Sequence, residues 1–192
     1  AQVGYVAEGI FRSQDDIDNH AEQTGAGLGR IMWKDLNGDG KITEADQDWI
    51  YNPVPAISYG LNVYLEYFGF DLTLFFQGVQ GVDIISDLKK ETDLWSGLNI
   101  SNLNKGTRLL DAWSPTNTDS DIPALSIADN NNEKRVSSYW VEDGSYLKLK
   151  NIQLGYNLPE KALQKLHMER WRFFVSAQNV FTIHSRSFTG VD

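Results

Sequence analysis

From Ile57 to Tyr67 the chain alternates without a break. Ile57, Tyr59, Leu61, Val63, Leu65 and Tyr67 fall on one parity, and Ser58, Gly60, Asn62, Tyr64 and Glu66 on the other. Strict period two predicts a strand with one apolar face. Gly69 sits in a short turn, and a second run follows with Phe70, Leu72, Leu74 and Phe76 against Asp71, Thr73, Phe75 and Gln77. Together, residues 56–77 read as a hairpin. A third stretch runs from Ser145 to Leu158. Ile152, Leu154, Tyr156 and Leu158 share a face there, but Leu147 and Leu149 have the opposite parity. Either a bulge near Asn151 resets the phase, or the upper end of the strand is apolar on its other face. The fourth stretch sets Trp171, Phe173, Val175 and Ala177 against Arg172, Phe174, Ser176 and Gln178.

The connections are unequal. Strands one and two are joined by about two residues, a normal hairpin length. Pro159–Arg170 holds a short amphipathic helix that starts at a proline, where proline is well placed. The segments 1–55 and 78–143 are polar and irregular, far longer than the ~12–15 residues usual in a compact domain. Short turns on one side and long loops on the other are the pattern of an up-and-down transmembrane barrel. Strands near the ~9–11 residues of a membrane crossing agree with it. So do Tyr59, Tyr67, Phe68, Phe70, Trp171 and Phe181 near strand ends, where interfacial aromatics collect. A soluble antiparallel sandwich with one buried face would show the same alternation.

Composition narrows the classes. The 192 residues are 41% hydrophobic and 12% aromatic, with a mean hydropathy of -0.38, which is not the signature of a disordered chain. Apolar runs such as Leu74-Phe75-Phe76 are far short of the ~20 residues of a membrane helix. A net charge of -9 argues against nucleic acid as a partner, because a phosphate backbone calls for a cationic face. There are no cysteines, hence no disulfide framework and no thiolate metal site. The first residues do not form a signal peptide, so export information is expected upstream, with the chain a piece of a longer one.

One motif carries chemistry. Asp35, Asn37 and Asp39 stand at positions one, three and five of a calcium-loop pattern. Gly40 is at six, Lys41 at seven with its backbone carbonyl, and Asp46 at twelve. A hard cation needs several oxygens at one radius, and this spacing wraps them around a point. Thr43 is placed to cap a helix over 44–48, with Asp46 at its capping-box position. Arg30-Ile31-Met32-Trp33 alternates like a strand, so the setting is strand–loop–helix, unlike a regulatory pair. The expected ion is structural calcium that fixes an outer loop; the alternative is an Asx-rich turn without metal.

Other chemistry is sparse. His20, His167 and His184 have no ligand-spaced partners, and Gly25-Ala-Gly27-Leu-Gly29 lacks the third glycine of a dinucleotide fingerprint. No nucleophile motif points to an enzyme. Trp95, Trp113, Tyr139 and Trp140 are aromatic candidates for lining a substrate cavity or touching a lid, set against ordinary loop packing.

The order of the motifs resembles the SusC/RagA family of TonB-dependent outer-membrane transporters. The resemblance is carried by Gly9-Ile10-Phe11, Lys34-Asp35-Leu36-Asn37-Gly38-Asp39-Gly40, Asn52-Pro53 before Tyr59-Gly60-Leu61-Asn62, and Gly69-Phe70-Asp71-Leu72. It continues through Phe75-Phe76-Gln77-Gly78, Trp113-Ser114-Pro115, Asp121-Ile122-Pro123, Val141-Glu142-Asp143-Gly144-Ser145-Tyr146, Leu154-Gly155-Tyr156-Asn157 and Ser176-Ala177-Gln178-Asn179-Val180-Phe181. It implies an all-β segment, about four strands of a 22-strand antiparallel barrel in the bacterial outer membrane. The final strand is expected to be missing, with 144–182 as a strand–helix–strand unit. It also implies a SusD-like surface lipoprotein as a lid, TonB as the energy source through an N-terminal region absent here, and import of oligosaccharides or peptides. The rest of the barrel and the lipid would then be partners as well. The topology puts the Pro159–Arg170 helix and the Phe68-Gly69 turn in the periplasm, and the loops 1–55 and 78–143 outside. The competing expectation is a soluble calcium-stabilised β-sheet module that binds glycans.

Overall fold

The computed structural model describes residues 2–93 and 105–185. The described residues divide into two compact units, one built from 54–82 with 143–185, the other from residues up to 53 with the described part of 83–142.

The first unit is a four-stranded antiparallel sheet. Its strands are β5 (Ile57–Tyr67), β6 (Phe70–Gln80), β9 (Tyr146–Asn157) and β10 (Arg172–His184), in the spatial order β10-β9-β6-β5. Phe68 and Gly69 connect β5 to β6 with φ of 45° and 84°, both positive as in the two-residue turns whose twist matches a hairpin. Tyr67 pairs with Phe70 across it. Helix α3 (Glu160–Leu166) starts after Pro159, buries Leu163 and ends at His167 in the left-handed conformation, which terminates the helix and returns the chain toward β10.

The phase change in the third stretch is resolved. Phe75 of β6 faces Asn151 while Phe76 faces Leu149, so the ladder slips at Lys150. A bulge resets the parity, and Leu147 and Leu149 join the face of Ile152, Leu154 and Tyr156. On β10 the ladder slips at the same level, between Gln178 and Phe181, with Asn179 at φ 51°. The paired residues then stack in rungs on one face. Tyr67, Phe70, Tyr156 and Phe173 make an aromatic rung across all four strands. The next rungs are Leu65-Leu72-Leu154-Val175, Val63-Leu74-Ile152-Ala177 and Leu61-Phe76-Leu149-Phe181. The opposite face carries Ser58, Asn62, Glu66, Asp71, Thr73, Gln77, Gln153, Arg172, Ser176 and Gln178, with Tyr64, Phe75 and Phe174 among them. The apolar face is not the inside of a sandwich: Leu61 and Leu65 are each 57% exposed and Val175 77%.

The second unit holds both long segments read as irregular, and they are organised by short pairings. Strand β1 (Gln2–Tyr5) pairs with β4 (Gln47–Tyr51), β2 (Ala7–Ile10) with β3 (Ile31–Trp33), and β7 (Asp83–Ile85) with β8 (Val141–Asp143). Helix α1 (Gln14–Asp18) is capped reciprocally by Ser13 and Asp16, and α2 spans Asp87–Asp93. Phe11, Ile31, Trp33 and Trp140 are almost fully buried. The polar residues that suggested solvated loop are partly inside. Gln23 Nε2 donates to the Ile31 carbonyl (2.8 Å) and its Oε1 accepts from the Trp33 amide (2.9 Å). Asn131 Nδ2 also donates to Ile31 O (2.9 Å), and Glu133 Oε1 accepts from Ile31 N–H (3.1 Å). These side chains stand in for a neighbouring strand along β3, so a short pairing survives in the interior with its backbone groups satisfied.

The helix expected over 44–48 is shorter. Only Glu44–Asp46 form a single 3-10 turn, and Gln47 already belongs to β4. Gln47 and Asp48 are claimed by the ladder with Tyr5 and Gly4, a tertiary pairing that overrides the local helix signal.

Candidate functional site

The loop after β3 closes on itself through its own side chains. Asp35 accepts from Gly38 N–H (2.7 Å) with Oδ1 and from Gly40 N–H (2.8 Å) with Oδ2. Asn37 Oδ1 accepts from Asp39 N–H (2.8 Å), and Asp39 Oδ1 from Lys41 N–H (2.9 Å). Gly38 and Gly40 have φ of 74° and 81° with open space around them, so conformation rather than crowding selects glycine there. The base of the loop is held by Glu22, whose N–H donates to Gly40 O (2.8 Å) and whose carbonyl accepts from Ile42 (3.0 Å).

Asp46 is the interior tie of this loop. It is fully buried. Its Oδ2 accepts from Thr43 N–H (2.7 Å), closing the expected capping box, and its Oδ1 from Leu36 N–H (3.0 Å). The Thr43 N–H, with those of Leu36 and Asn37, holds its carboxyl below the usual range against the opposing effect of burial. Asp35, Asn37 and Asp39 thus curl on one turn, each oxygen using one lone pair on an amide, while Asp46 spends both oxygens on backbone. Among the described residues no three His, Asp or Glu side chains are already gathered in metal-binding geometry. The donor chemistry of positions one, three and five suits a hard cation; position twelve is committed to the loop itself.

The aromatic candidates separate. Trp113 is buried; its ring lies so close to Gly29 that a Cβ there would collide, and its backbone N–H donates to Ile122 O (2.8 Å). Trp140 is 1% exposed and donates from Nε1 to Glu133 O (3.3 Å). Both indoles are buried among residues of the second unit, as the loop-packing alternative describes. Tyr139 is half-buried, edge-on to Trp140 (4.7 Å), with the Lys89 ammonium 4.4 Å over its ring. Burial pushes its phenol well above the ordinary range. It borders a cleft of about 270 Å³ with Glu8, Gly9, Asp121 and Ser138. Trp95 lies outside the described residues.

Two clusters escaped the sequence reading. Glu133 is buried beside Arg30 (3.2 Å). Burial raises its pKa, opposed by Arg30 and the Ile31 amide. On the polar face of the sheet, Arg172 of β10 reaches across β9 to Asp71 of β6, with Nε 2.9 Å from Oδ1 and Nη2 bonded to Oδ2. Asn157 adds a third donor (3.3 Å). Gly155 lies beneath, and any Cβ there would strike both partners. The polar parity of Asp71 and Arg172 was legible; that they meet depends on the register of three strands.

No protein-family model matches the chain. Among curated proteins it is similar to three of Formosa agariphila. TonB-dependent receptor P3 is 38% identical over 180 residues, covering 93% of this chain. TonB-dependent receptors P26 and P39 are 32% and 30% identical, covering 79% and 80%. The chain spans only 17%, 15% and 15% of those relatives. Among solved structures, the RagAB peptide transporter superposes with a TM-score of 0.74 over 97% of this chain and 19% of that one, at 21% identity. The RagAB peptide importer in its 'open-open' state gives 0.71 over 98% of this chain and 19% of that one, at 20% identity.

Proposed function

The chain belongs to the TonB-dependent receptors, as a segment of one, and from that premise we propose that it forms part of the wall and outer loops of a barrel that imports nutrients across the bacterial outer membrane. The observation that carries this reading is the two-faced sheet. One side is apolar rung after rung, with Leu61, Leu65 and Val175 among its exposed residues; the other is mixed, with most of the sheet's polar side chains beside Tyr64, Phe75 and Phe174. Eleven residues at ~3.3 Å each give about 36 Å of strand. Tilted by ~45°, that is roughly the ~25 Å apolar band of an outer-membrane barrel. The aromatic rung at the hairpin end suits the lower interface. The apolar face meets lipid and the polar face meets the lumen. In this reading the four strands are part of a 22-strand barrel with the hairpin turn and α3 in the periplasm. The second unit is then extracellular, beneath a SusD-like lipoprotein, with import driven through TonB. The cargo is a peptide or oligosaccharide; the peptide is favoured by the likeness to a structure named as a peptide transporter.

The test uses the full-length receptor in outer-membrane vesicles. This segment has no cysteine, so single cysteines at Leu61 and Asn62 separate the faces once any others are removed. A water-soluble maleimide should label position 62 and spare 61, and a nitroxide on lipid acyl chains should quench a probe at 61 alone. Equal labelling at both positions overturns the reading.

Calcium at the Asp35 loop belongs to the same proposal. Asp35, Asn37, Asp39 and the Lys41 carbonyl are the ligands, with Asp46 bracing the turn from inside and contributing only through its remaining lone pairs. The ion would hold the outer loop rather than signal, with an affinity of about 10⁻⁴–10⁻³ M. Calorimetric titration of the receptor with calcium tests it; an identical heat from an Asp39→Ala receptor counts against this site.

A further inference from the structure

The bulge at Lys150 does more than reset parity. On the face opposite the apolar rungs, Asn62, Phe75, Asn151 and Gln178 form one level, and Gly60, Gln77, Lys148 and Thr182 the next. Lys150 is the extra residue between them on β9. Its ammonium donates to Gln77 Oε1 (2.9 Å), so it turns to that same face. Lys148, Lys150 and Asn151 thus crowd a stretch of strand that regular alternation would give to two side chains. The neighbouring strand slips at the same level, between Gln178 and Phe181, with Asn179 in the left-handed region at φ 51°. Bulges re-aim side chains and collect beside functional sites.

Charge is sorted along this face. At the hairpin end the ions are partnered: Arg172 holds Asp71, and the Tyr64 hydroxyl donates to Glu66 (3.2 Å). At the bulge, among the described residues, neither lysine has a carboxylate within ion-pair distance. Asp71 and Glu66 pair with each other across β5 and β6, as Gln77 does with Gly60, and the separation from 71 to 77 is about 20 Å of strand. Gln77 spends its carbonyl on Lys150. Its own NH2, the remaining protons of Lys150 and the Lys148 ammonium are then all donors. A cluster of donors fits an acceptor, and two cations fit a charged one.

We propose that Lys148, Lys150 and Gln77 form a subsite for a carboxylate of the cargo, so that the receptor favours acidic peptides or uronate-bearing oligosaccharides over neutral ones. The inference rests on the reading of this face as lumen wall and deepens it. The chain as a whole carries a net charge of -9 and would repel such a cargo; the two lysines are a local exception. In a lumen bounded by low-dielectric walls their field is focused rather than spread over an open surface.

The experiment uses the purified full-length receptor and an equimolar mixture of probes: short acidic and neutral peptides, each with a free or amidated C-terminus, and oligomers of galacturonate and of glucose. Captured ligands are released and quantified by mass spectrometry. Carboxylate-bearing probes should be enriched several-fold over neutral ones, and the enrichment should shrink as salt is raised. Lys148→Gln combined with Lys150→Gln should remove it. Lys148→Arg combined with Lys150→Arg keeps the charge and should retain it, and Lys161→Gln, on α3, should leave it unchanged. The amidated peptides separate a C-terminal carboxylate from a side-chain one, and the sugars separate uronate from peptide. Capture without acid preference, as when a carboxylate elsewhere in the receptor already occupies the lysines, overturns the subsite and leaves the import reading standing. So does a preference that survives the double glutamine variant. Capture of no probe by the unmodified receptor counts against the import reading, and the subsite falls with it.

Discussion

Arg172 and Asp71 meet above Gly155, so that β10 is tied to β6 across the strand between them. Asp71 is only 4% exposed. Removing one partner leaves the other charge without its ion pair. Arg172→Leu or Asp71→Leu should therefore lower the urea midpoint of the refolded receptor sharply. The double variant should lose less than the sum, since it leaves no unpaired charge. Gly155→Ala should also destabilise, by about 1–3 kcal/mol for overpacking. Strict additivity in the double-mutant cycle would mean the two residues do not act as a pair.

The two sheet faces differ in what they tolerate. Val63 is in the central apolar rung and Asn62 beside it faces the other way. Val63→Arg should destabilise the barrel by about 2–4 kcal/mol, the depth-dependent cost of a cation at the bilayer midplane. Asn62→Arg should cost far less. Folding equilibria in vesicles, followed by tryptophan fluorescence against urea, measure both.

Glu133 gives the second unit a pH dependence whose sign can be worked out. Burial raises its folded pKa above the unfolded value of about 4.3. The folded state then binds the proton more tightly, so stability is greatest below that value and falls as pH rises through the folded pKa. Hydrogen exchange at the Ile31 amide, which donates to Glu133, should show less protection with rising pH after correction for intrinsic rates. Glu133→Gln should flatten that trend, and Arg30→Ala should steepen it.

Trp140 and Leu110 are both large apolar residues of the second unit, but one is 1% exposed and the other 87%. Trp140→Ala should cost about 3–5 kcal/mol and make the second unit susceptible to protease in the purified receptor. Leu110→Ala should stay within about 0.5 kcal/mol and leave cleavage unchanged.

In the loop proposed to hold calcium, Gly40→Ala forces a side chain into φ 81°, at roughly 1–2 kcal/mol. It should weaken calcium binding without removing a ligand. Asp35→Asn should weaken it more, because a charge is lost. Titration heats of the three receptors should rank in that order.

Period-two alternation identified β5, β6, β9 and β10, because a strand's side chains must alternate and each face meets one environment. Pro159 and the Thr43–Asp46 capping pair were legible for the same reason: caps and helix starts depend on neighbours a few residues away. The helix expected over 44–48 did not form beyond Asp46, since β1 competes for Gln47 and Asp48 from more than forty positions away. Trp113 and Trp140 carried no mark of burial, because burial depends on what the distant segments 2–53 and 83–142 fold around.

The sequence by itself determined which residues are apolar on each strand, the hairpin turn, the calcium-like spacing and, through the order of its motifs, the family. Those are properties of short windows and of shared ancestry. The tertiary structure alone decided that a bulge at Lys150 brings Leu147 and Leu149 to the apolar face, that Arg172 finds Asp71, and that Asp46 turns inward onto the loop amides. Each of these depends on strand register or on which backbone groups are left without partners, and both are settled only when segments far apart in the chain come together.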